Sequence, residues 1–445
     1  MKITHISSAT CLIEYNGTKI LTDPWLVGDE FYGSWTHYPP MDDIDFSVFD
    51  DVDYIYISHI HPDHMSRETL ERINKDIPVL IHSYDAKFVK MNLERWGRNV
   101  IELSHGDKFE CGNGLDIYIY AADNCDPSKC FKYFGCGKME SKMGSTGIDT
   151  FAVIEAGDKC ILNVNDCPYS LTESTLDFVL PNHPEIDLLL VGYAGAGSYP
   201  QCWDYSDKDK LEIYGVKKKS YFLTMGLDFI NKVQPRYYMP FAGTYVLRGK
   251  NAFLEKYKVV PELQDALSYY KEKISCDSKG VLLNSFEWFD LESESVSNEY
   301  VPINYQEKID YVETVLSKHK YEYELDPEPS LQDFYDIIPQ CYERYDAKRQ
   351  QLNFLSATNI YIYLPDEKMI KVSCCGQGYE IINVSDFKDT NYVSYRVDPK
   401  LLLRILKGPR YAHWNNAEIG SHIQFARRPE IYERALYYAM NYFHT

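Results

Sequence analysis

Apolar and polar residues alternate in three short runs at the start of the chain, over residues 2–6, 10–15 and 18–22. A period of two places every second side chain on one face, so each run predicts a half-buried strand. Asn16-Gly17 between the last two supplies a hairpin turn. Residues 54–57, Tyr-Ile-Tyr-Ile, predict a buried strand. Helix, strand, helix and strand patterns follow over 66–74, 78–82, 86–96 and 100–103, then a turn at Gly106-Asp107 and a strand over 115–121. Residues 151–155 and 159–164 form a hairpin through Gly157-Asp158, and 186–191 and 236–243 read as further buried strands. Strands alternating with helices and hairpins place this region in the α/β class.

The 445 residues exceed what one hydrophobic core usually serves. The pattern changes near 291–298, a polar stretch suited to a flexible join, and the expected division is 1–297 and 298–445. In the second part, helical patterns over 305–318 and 331–350 lead to strands over 359–364, 369–374, 380–383 and 392–397. Helices starting at Pro399, Asn416 and Pro429 then close the chain. That order predicts a smaller α+β domain. Tyr432, Leu436, Tyr437, Met440 and Phe443 recur at helical spacing, which is the signature of a core-facing stripe.

Composition narrows the partners. A formal charge of −20 opposes a nucleic-acid binder, which needs a basic face for phosphates. The 39 tyrosines are read as packing residues. The N-terminus runs directly into a strand pattern, and no apolar stretch is long enough to span a bilayer. The expectation is a soluble cytoplasmic protein without a membrane partner, its twelve cysteines reduced. The small-residue loop at 192–200 lacks the Gly-x-Gly-x-x-Gly spacing, so neither a nicotinamide nor a flavin site is expected.

The chemistry concentrates where the 54–57 strand stops. His59, His61, Asp63 and His64 follow within six positions of Ser58. Imidazole and carboxylate are the ligands of borderline divalent metals, and residues i and i+2 at a strand end share a face. The alternative is a polar loop whose histidines only hydrogen-bond each other. Asp166, in Asn165-Asp166-Cys167, leaves another buried strand as a further candidate ligand; a turn-initiating aspartate is the plain alternative. His5 and His37 lie in loops that can reach the same end of the sheet, with a surface or satisfied histidine as the equal alternative. Cys125, Cys130 and Cys136 cluster without a matched fourth ligand, which opposes a second metal site there.

His59-Ile60-His61-Pro62-Asp63-His64 resembles the His-x-His-x-Asp-His signature of the metallo-β-lactamase superfamily, and residues 17–26 resemble the strand and Asp-Pro turn preceding it. The resemblance implies an αββα sandwich with the metal at one edge between the sheets. Asp23 then orients the metal loop, and Asp166 is the metal-bridging carboxylate. The third histidine that the superfamily places after the 115–121 strand is absent. Asp123, Cys125 or Asp126 would replace it, Asp123 first because it comes soonest after the strand.

A finer resemblance, to the CMP-N-acetylneuraminate hydroxylases, runs through Asp23-Pro24-Trp25-Leu26, the 35–40 loop, residues 161–167, Tyr193-Ala194-Gly195-Ala196-Gly197 and Pro240-Phe241-Ala242-Gly243. It continues in residues 414–420 and 428–432. It implies non-haem iron, one or two ions, held by His59, His61, Asp63, His64, Asp166 and Asp123. Asp63 and Asp166 would be catalytic, and His37 and Tyr193 would contact substrate. The reaction implied is hydroxylation of a polar small molecule, a nucleotide sugar being one candidate. Those hydroxylases carry Rieske Cys-x-His and Cys-x-x-His pairs, which this sequence lacks, so a separate electron-transfer protein is expected. Two other readings stand beside this one: a zinc or manganese hydrolase of a lactone, ester or phosphodiester, and a binding protein with a degenerate metal site.

Overall fold

The computed structural model describes residues 1–41, 43–84, 86–122, 149–205 and 209–445. Two sheets face each other across a shared apolar core. Across the first, the strands run Ser295–Val296, Glu287–Asp290, Lys2–Ser7, Thr10–Tyr15, Thr18–Thr22, Tyr54–Tyr56, Val79–His82 and Val100–Leu103. Across the second they run Lys279–Gly280, Tyr237–Phe241, Leu188–Gly192, Lys159–Asn163, Thr150–Ala156, Leu115–Ala121 and Lys108–Gly112. Ile13, Ile20 and Leu80 from one sheet meet Ile117, Ile154 and Leu190 from the other.

Each outer face carries helices. Arg67–Arg72 and Phe88–Arg95 bury Leu70, Val89 and Leu93 against Ile57 and Ile81. Tyr169–Val179, Asp209–Val233 and Leu263–Lys273 cover the second sheet through Leu176, Phe229, Ile230 and Ala266. The layers are therefore αββα, as the resemblance implied.

Parallel pairing decides where the chemistry goes. Tyr54–Tyr56 adds to Thr18–Thr22 in parallel, followed by Val79–His82 and Val100–Leu103. In the other sheet Lys159–Asn163, Leu188–Gly192 and Tyr237–Phe241 are parallel. The loops leaving the carboxyl ends of parallel strands are the natural ligand-binding rim of such a sheet. The two rims are tied together: Tyr56 Oη donates to Thr150 Oγ1 (3.0 Å), and Thr150 Oγ1 donates to the Ser58 carbonyl (2.7 Å).

Several elements depart from the sequence reading, among them the unannounced helices Tyr169–Val179 and Leu263–Lys273 and the strand Glu287–Asp290. Lys108–Gly112 is a strand at the sheet edge, paired with Leu115–Ala121. Asp209–Val233 is a 25-residue helix that the periodicity did not announce. Ile423–Arg428 is a strand where only helices were expected, antiparallel to Tyr392–Val397.

A third, six-stranded sheet has the order Trp203–Asp204, Ile423–Arg428, Tyr392–Val397, Asn359–Tyr363, Lys368–Ser373 and Tyr379–Asn383. The helices packed on it include Ile338–Gln351, Pro399–Leu406 and Arg434–Met440, and their core joins Tyr345, Leu402, Trp414, Leu436 and Phe443. Of the C-terminal stripe, Leu436, Tyr437, Met440 and Phe443 are buried, while Tyr432 lies half out, stacked on Tyr437. One edge strand of this sheet, Trp203–Asp204, comes from the first half of the chain and pairs in parallel with Ile423–Arg428. Among the described residues no helix is long and apolar enough to cross a membrane.

His422 fastens the two halves. Its Nε2–H donates to the Phe31 carbonyl at 2.8 Å, and the Tyr323 hydroxyl donates to Nδ1 at 3.1 Å, so the ring is held neutral. Burial pushes its pKa down to about 4. An unfolded chain would take up a proton near the ordinary value of 6.5 that the folded ring refuses. Stability is therefore full above that value and falls as pH drops toward 4, by up to about 3 kcal/mol from this group. Urea unfolding at a series of pH values should show His422→Gln less stable at neutral pH, with a shallower acid-side decline than the parent. Parallel declines in the two proteins would remove His422 from the account.

Candidate metal centre

Asp23 organises the site without facing the cavity. It follows the Thr18–Thr22 strand in a left-handed conformation (φ 41°), and its amide donates to the Tyr56 carbonyl at 2.8 Å. The carboxylate is fully buried. It accepts from the Ser58 amide and the Ser58 hydroxyl, both at 2.7 Å, and from His64 Nδ1 at 3.0 Å. An unpaired buried carboxylate would be very costly; three donors, one of them an imidazole, make it tenable. The His64 ring is thereby turned so that Nε2 lies 3.6 Å from both Asp63 Oδ2 and Asp166 Oδ1.

The hydrogen-bond chain fixes the other rings. Because Ser58 Oγ spends its proton on Asp23, it accepts from His59 Nδ1 at 2.9 Å, which leaves His59 Nε2 as a lone pair. His61 Nε2 faces Asn415 Oδ1 at 3.2 Å. His59 Nε2 and His61 Nδ1 stand 2.9 Å apart, within hydrogen-bonding distance.

The carboxylates point the same way. Ligand atoms of His59, His64 and Asp166 all lie within 4.8 Å of one another. Burial pushes the Asp63 carboxyl up to about 6, with Asp166 and Asp23 adding repulsion against the attraction of His64. Burial alone would lower His64, but Asp63, Asp166 and Asp23 raise it to about 10. Carboxylates outnumber fixed cations here, and the imbalance favours an added positive charge. The donor set fits a divalent metal ion.

Beside this cluster opens a cavity of about 510 Å³. His61, Asn165 and Asp166 line one end; the 192–197 loop, the Asp209–Val233 helix and the Trp414–Ile419 helix supply the walls. The glycines of that loop have a packing reason: a Cβ on Gly195 would stand 2.0 Å from the Phe222 ring, and one on Gly192 2.8 Å from the Asn165 carbonyl.

The other expected site residues fall elsewhere. His37 packs on Trp25 (ring centroids 4.0 Å apart) and lines a separate cleft with Arg248 and His319; burial lowers its pKa to about 4. Tyr193 is 1% exposed and belongs to the core between the second sheet and its helices, off the cavity lining. His5 is buried, its Nε2 near the Ser8 carbonyl. Asp123, Asp126 and the Cys125, Cys130 and Cys136 cluster lie outside the described residues. A second trio, Glu155, Cys160 and His183, shares the outer face of the second sheet. There both His183 nitrogens are engaged, Nδ1 with Glu155 (2.6 Å) and Nε2 with Tyr120 Oη (3.3 Å), so it is a satisfied hydrogen-bonded group.

Asn415, Lys218 and Glu418 line the cavity and were not singled out as site residues. Asn415 and Glu418 do sit in the 414–420 stretch that carried the finer resemblance, and that was their only signal. Asp23→Asn should keep the fold but weaken metal retention about 10- to 100-fold, because the amide cannot accept all three bonds or hold the His64 tautomer. Competition against a chelator, with circular dichroism on the same samples, measures both quantities.

The chain is similar to known proteins over part of its length. Residues 2–193 match the family described as the beta-lactamase superfamily domain. A protein of Mycolicibacterium smegmatis named as a Rieske 2Fe-2S iron-sulfur protein is 29% identical over 249 residues, 55% of this chain and 43% of that one. The cytidine monophosphate-N-acetylneuraminic acid hydroxylase of Danio rerio is 26% identical over 256 residues, 55% of this chain and 38% of its own. The match thus spans less than half the length of these relatives. Among solved structures, the isothiocyanate hydrolase from Delia radicum gut bacteria covers 65% of this chain and 99% of its own at 14% identity, with a TM-score of 0.45. By the family match, residues 2–193 belong to the β-lactamase superfamily, within a sandwich whose two sheets also take strands from residues 237–296.

Proposed function

We propose that the chain is a metal-dependent oxygenase that hydroxylates a polar small molecule, using one or two non-haem iron ions held by His59, His61, His64, Asp63 and Asp166. The observation that carries this reading is the convergence at one rim of the His59, His61 and His64 rings with the carboxylates of Asp63 and Asp166. The choice of oxidation over hydrolysis is supported by the likeness, across 55% of the chain, to proteins named for a hydroxylase and for a Rieske centre. A nucleotide sugar is the first substrate to try, and electrons would come from a separate iron–sulfur protein.

Iron bound at this set would supply dioxygen activation at positions that the side chains leave open. The protein's own part is positional. Asp23 fixes the His64 tautomer and Ser58 that of His59, while Asn415 faces His61. Phe222, Met225 and Ile419 give the cavity apolar walls that exclude water around the reacting group. In this reading residues 1–297 hold the metal, and residues 298–445 contribute Asn415 and one wall. Asp123 remains the proposed extra ligand, with Cys125 its rival.

Protein purified without added metal should contain iron in excess of zinc by elemental analysis. Tightly held stoichiometric zinc would replace this reading with a hydrolase. His61→Ala should abolish iron retention with the circular dichroism spectrum unchanged; a parallel loss of secondary structure would make the metal structural. Asp123→Ala should lower metal content while Cys125→Ser does not, and unchanged retention in both would restrict the ligands to the five named above.

A further inference from the structure

One wall of the cavity carries charge that the metal chemistry does not use. Lys218, on the Asp209–Val233 helix, donates from Nζ to the Tyr199 carbonyl at 3.0 Å. The Tyr199 and Phe222 rings flank it with centroids 5.4 and 5.5 Å away. Among the described residues no carboxylate oxygen comes within 4.0 Å of it. Glu418 faces it across Gly197: Lys218 Nζ and Glu418 Oε1 each lie 3.9 Å from where a Gly197 Cβ would stand. Glu418 is itself held by the Ser198 hydroxyl at 2.9 Å. Burial pushes Lys218 down to about 8 and Glu418 up to about 7, against the attraction of each for the other.

A second observation lies at the metal end. Asn165 is 2% exposed and lines the cavity next to Asp166, yet neither its Nδ2 nor its Oδ1 has a hydrogen-bond partner. It also adopts a left-handed backbone (φ 46°). Its backbone is held, since its amide donates to Asn163 Oδ1 at 3.1 Å. A buried amide left unpaired at both atoms is costly, and the cost is recovered when a ligand supplies both a donor and an acceptor.

We propose that this cavity binds a small molecule bearing an anionic group and a hydroxyl or amide on an aromatic or apolar body, with the carboxylate or phosphate on Lys218 and the hydrogen-bonding group on Asn165. The apolar body lies against Phe222 and Met225. A volume of about 510 Å³ suits a ligand of this kind. Lysine acts as a compact point charge, which suits either anion. The assignment rests on the oxygenase reading only in naming the Asn165 end as the end where reaction occurs; the recognition chemistry is independent of the metal.

The test is calorimetric titration of the full chain, stripped of metal by chelation, with phenyl phosphate, benzoate and neutral benzyl alcohol as probes. At least one anionic probe should bind ten-fold or more tighter than benzyl alcohol. Which of the two is tighter tells phosphate from carboxylate as the natural group. Lys218→Met should erase the preference for anions, and Asn165→Ala should weaken benzyl alcohol and the anions alike. Equal affinity of charged and neutral probes in the parent protein would overturn the proposal even if both variants failed to fold. So would an unchanged preference in a folded Lys218→Met. Because the titration is metal-free, a zinc-loaded or metal-poor preparation counts against the oxygenase reading alone.

Discussion

The buried carboxylate of Asp23 is the constraint on which the site depends. Its charge is affordable in the interior only because Ser58 and His64 surround it with donors, and those donors are placed only because the charge is there. The same residue joins adjacent parallel strands through its backbone, and its carbonyl accepts from Thr10 Oγ1 at 2.9 Å. Strand order, loop direction and histidine tautomers are thus settled at one point, several bonds away from where a ligand would sit.

The inter-sheet link through Tyr56, Thr150 and Ser58 extends that order to the second sheet. Tyr84 Oη adds a further bond to the Ser58 carbonyl at 2.6 Å. Ser58 therefore carries five restraints: its amide and hydroxyl donate to Asp23, its hydroxyl accepts from His59, and its carbonyl is shared by Thr150 and Tyr84. A loop so tied loses little conformational freedom on binding a ligand, which is the physical meaning of preorganisation.

Much of this was legible in the sequence, for reasons that also explain the failures. The first three strands alternate cleanly because one face meets the core, and His59, His61 and Asp63 follow a strand end in a pattern that has few other uses. Lys108–Gly112 was missed because it is a polar edge strand, with Lys108, Glu110 and Gly112 exposed. The Asp209–Val233 helix was missed because it buries only its C-terminal half, while Lys217 to Lys219 and Gly215 and Gly226 blur the stripe. Tyr193 looked like a cavity residue from its place in a small-residue loop. It comes directly after a strand, and its side chain goes to the helix side while Ala194 to Gly197 line the cavity. Asn415 could not be read locally, since its role depends on its contact with His61, far away in the chain.

The short strand Trp203–Asp204 has a genealogical consequence. It occupies an edge of the C-terminal sheet while the residues on either side of it build the cavity and its wall. Detaching the C-terminal half would bare a row of unpaired backbone groups on Ile423–Arg428, the kind of edge that invites aggregation. The same cut would strip Asn415 from His61 and open the cavity to solvent. The two halves are therefore not interchangeable cassettes. A lineage that recombined one without the other would inherit a sticky sheet and a half-built pocket.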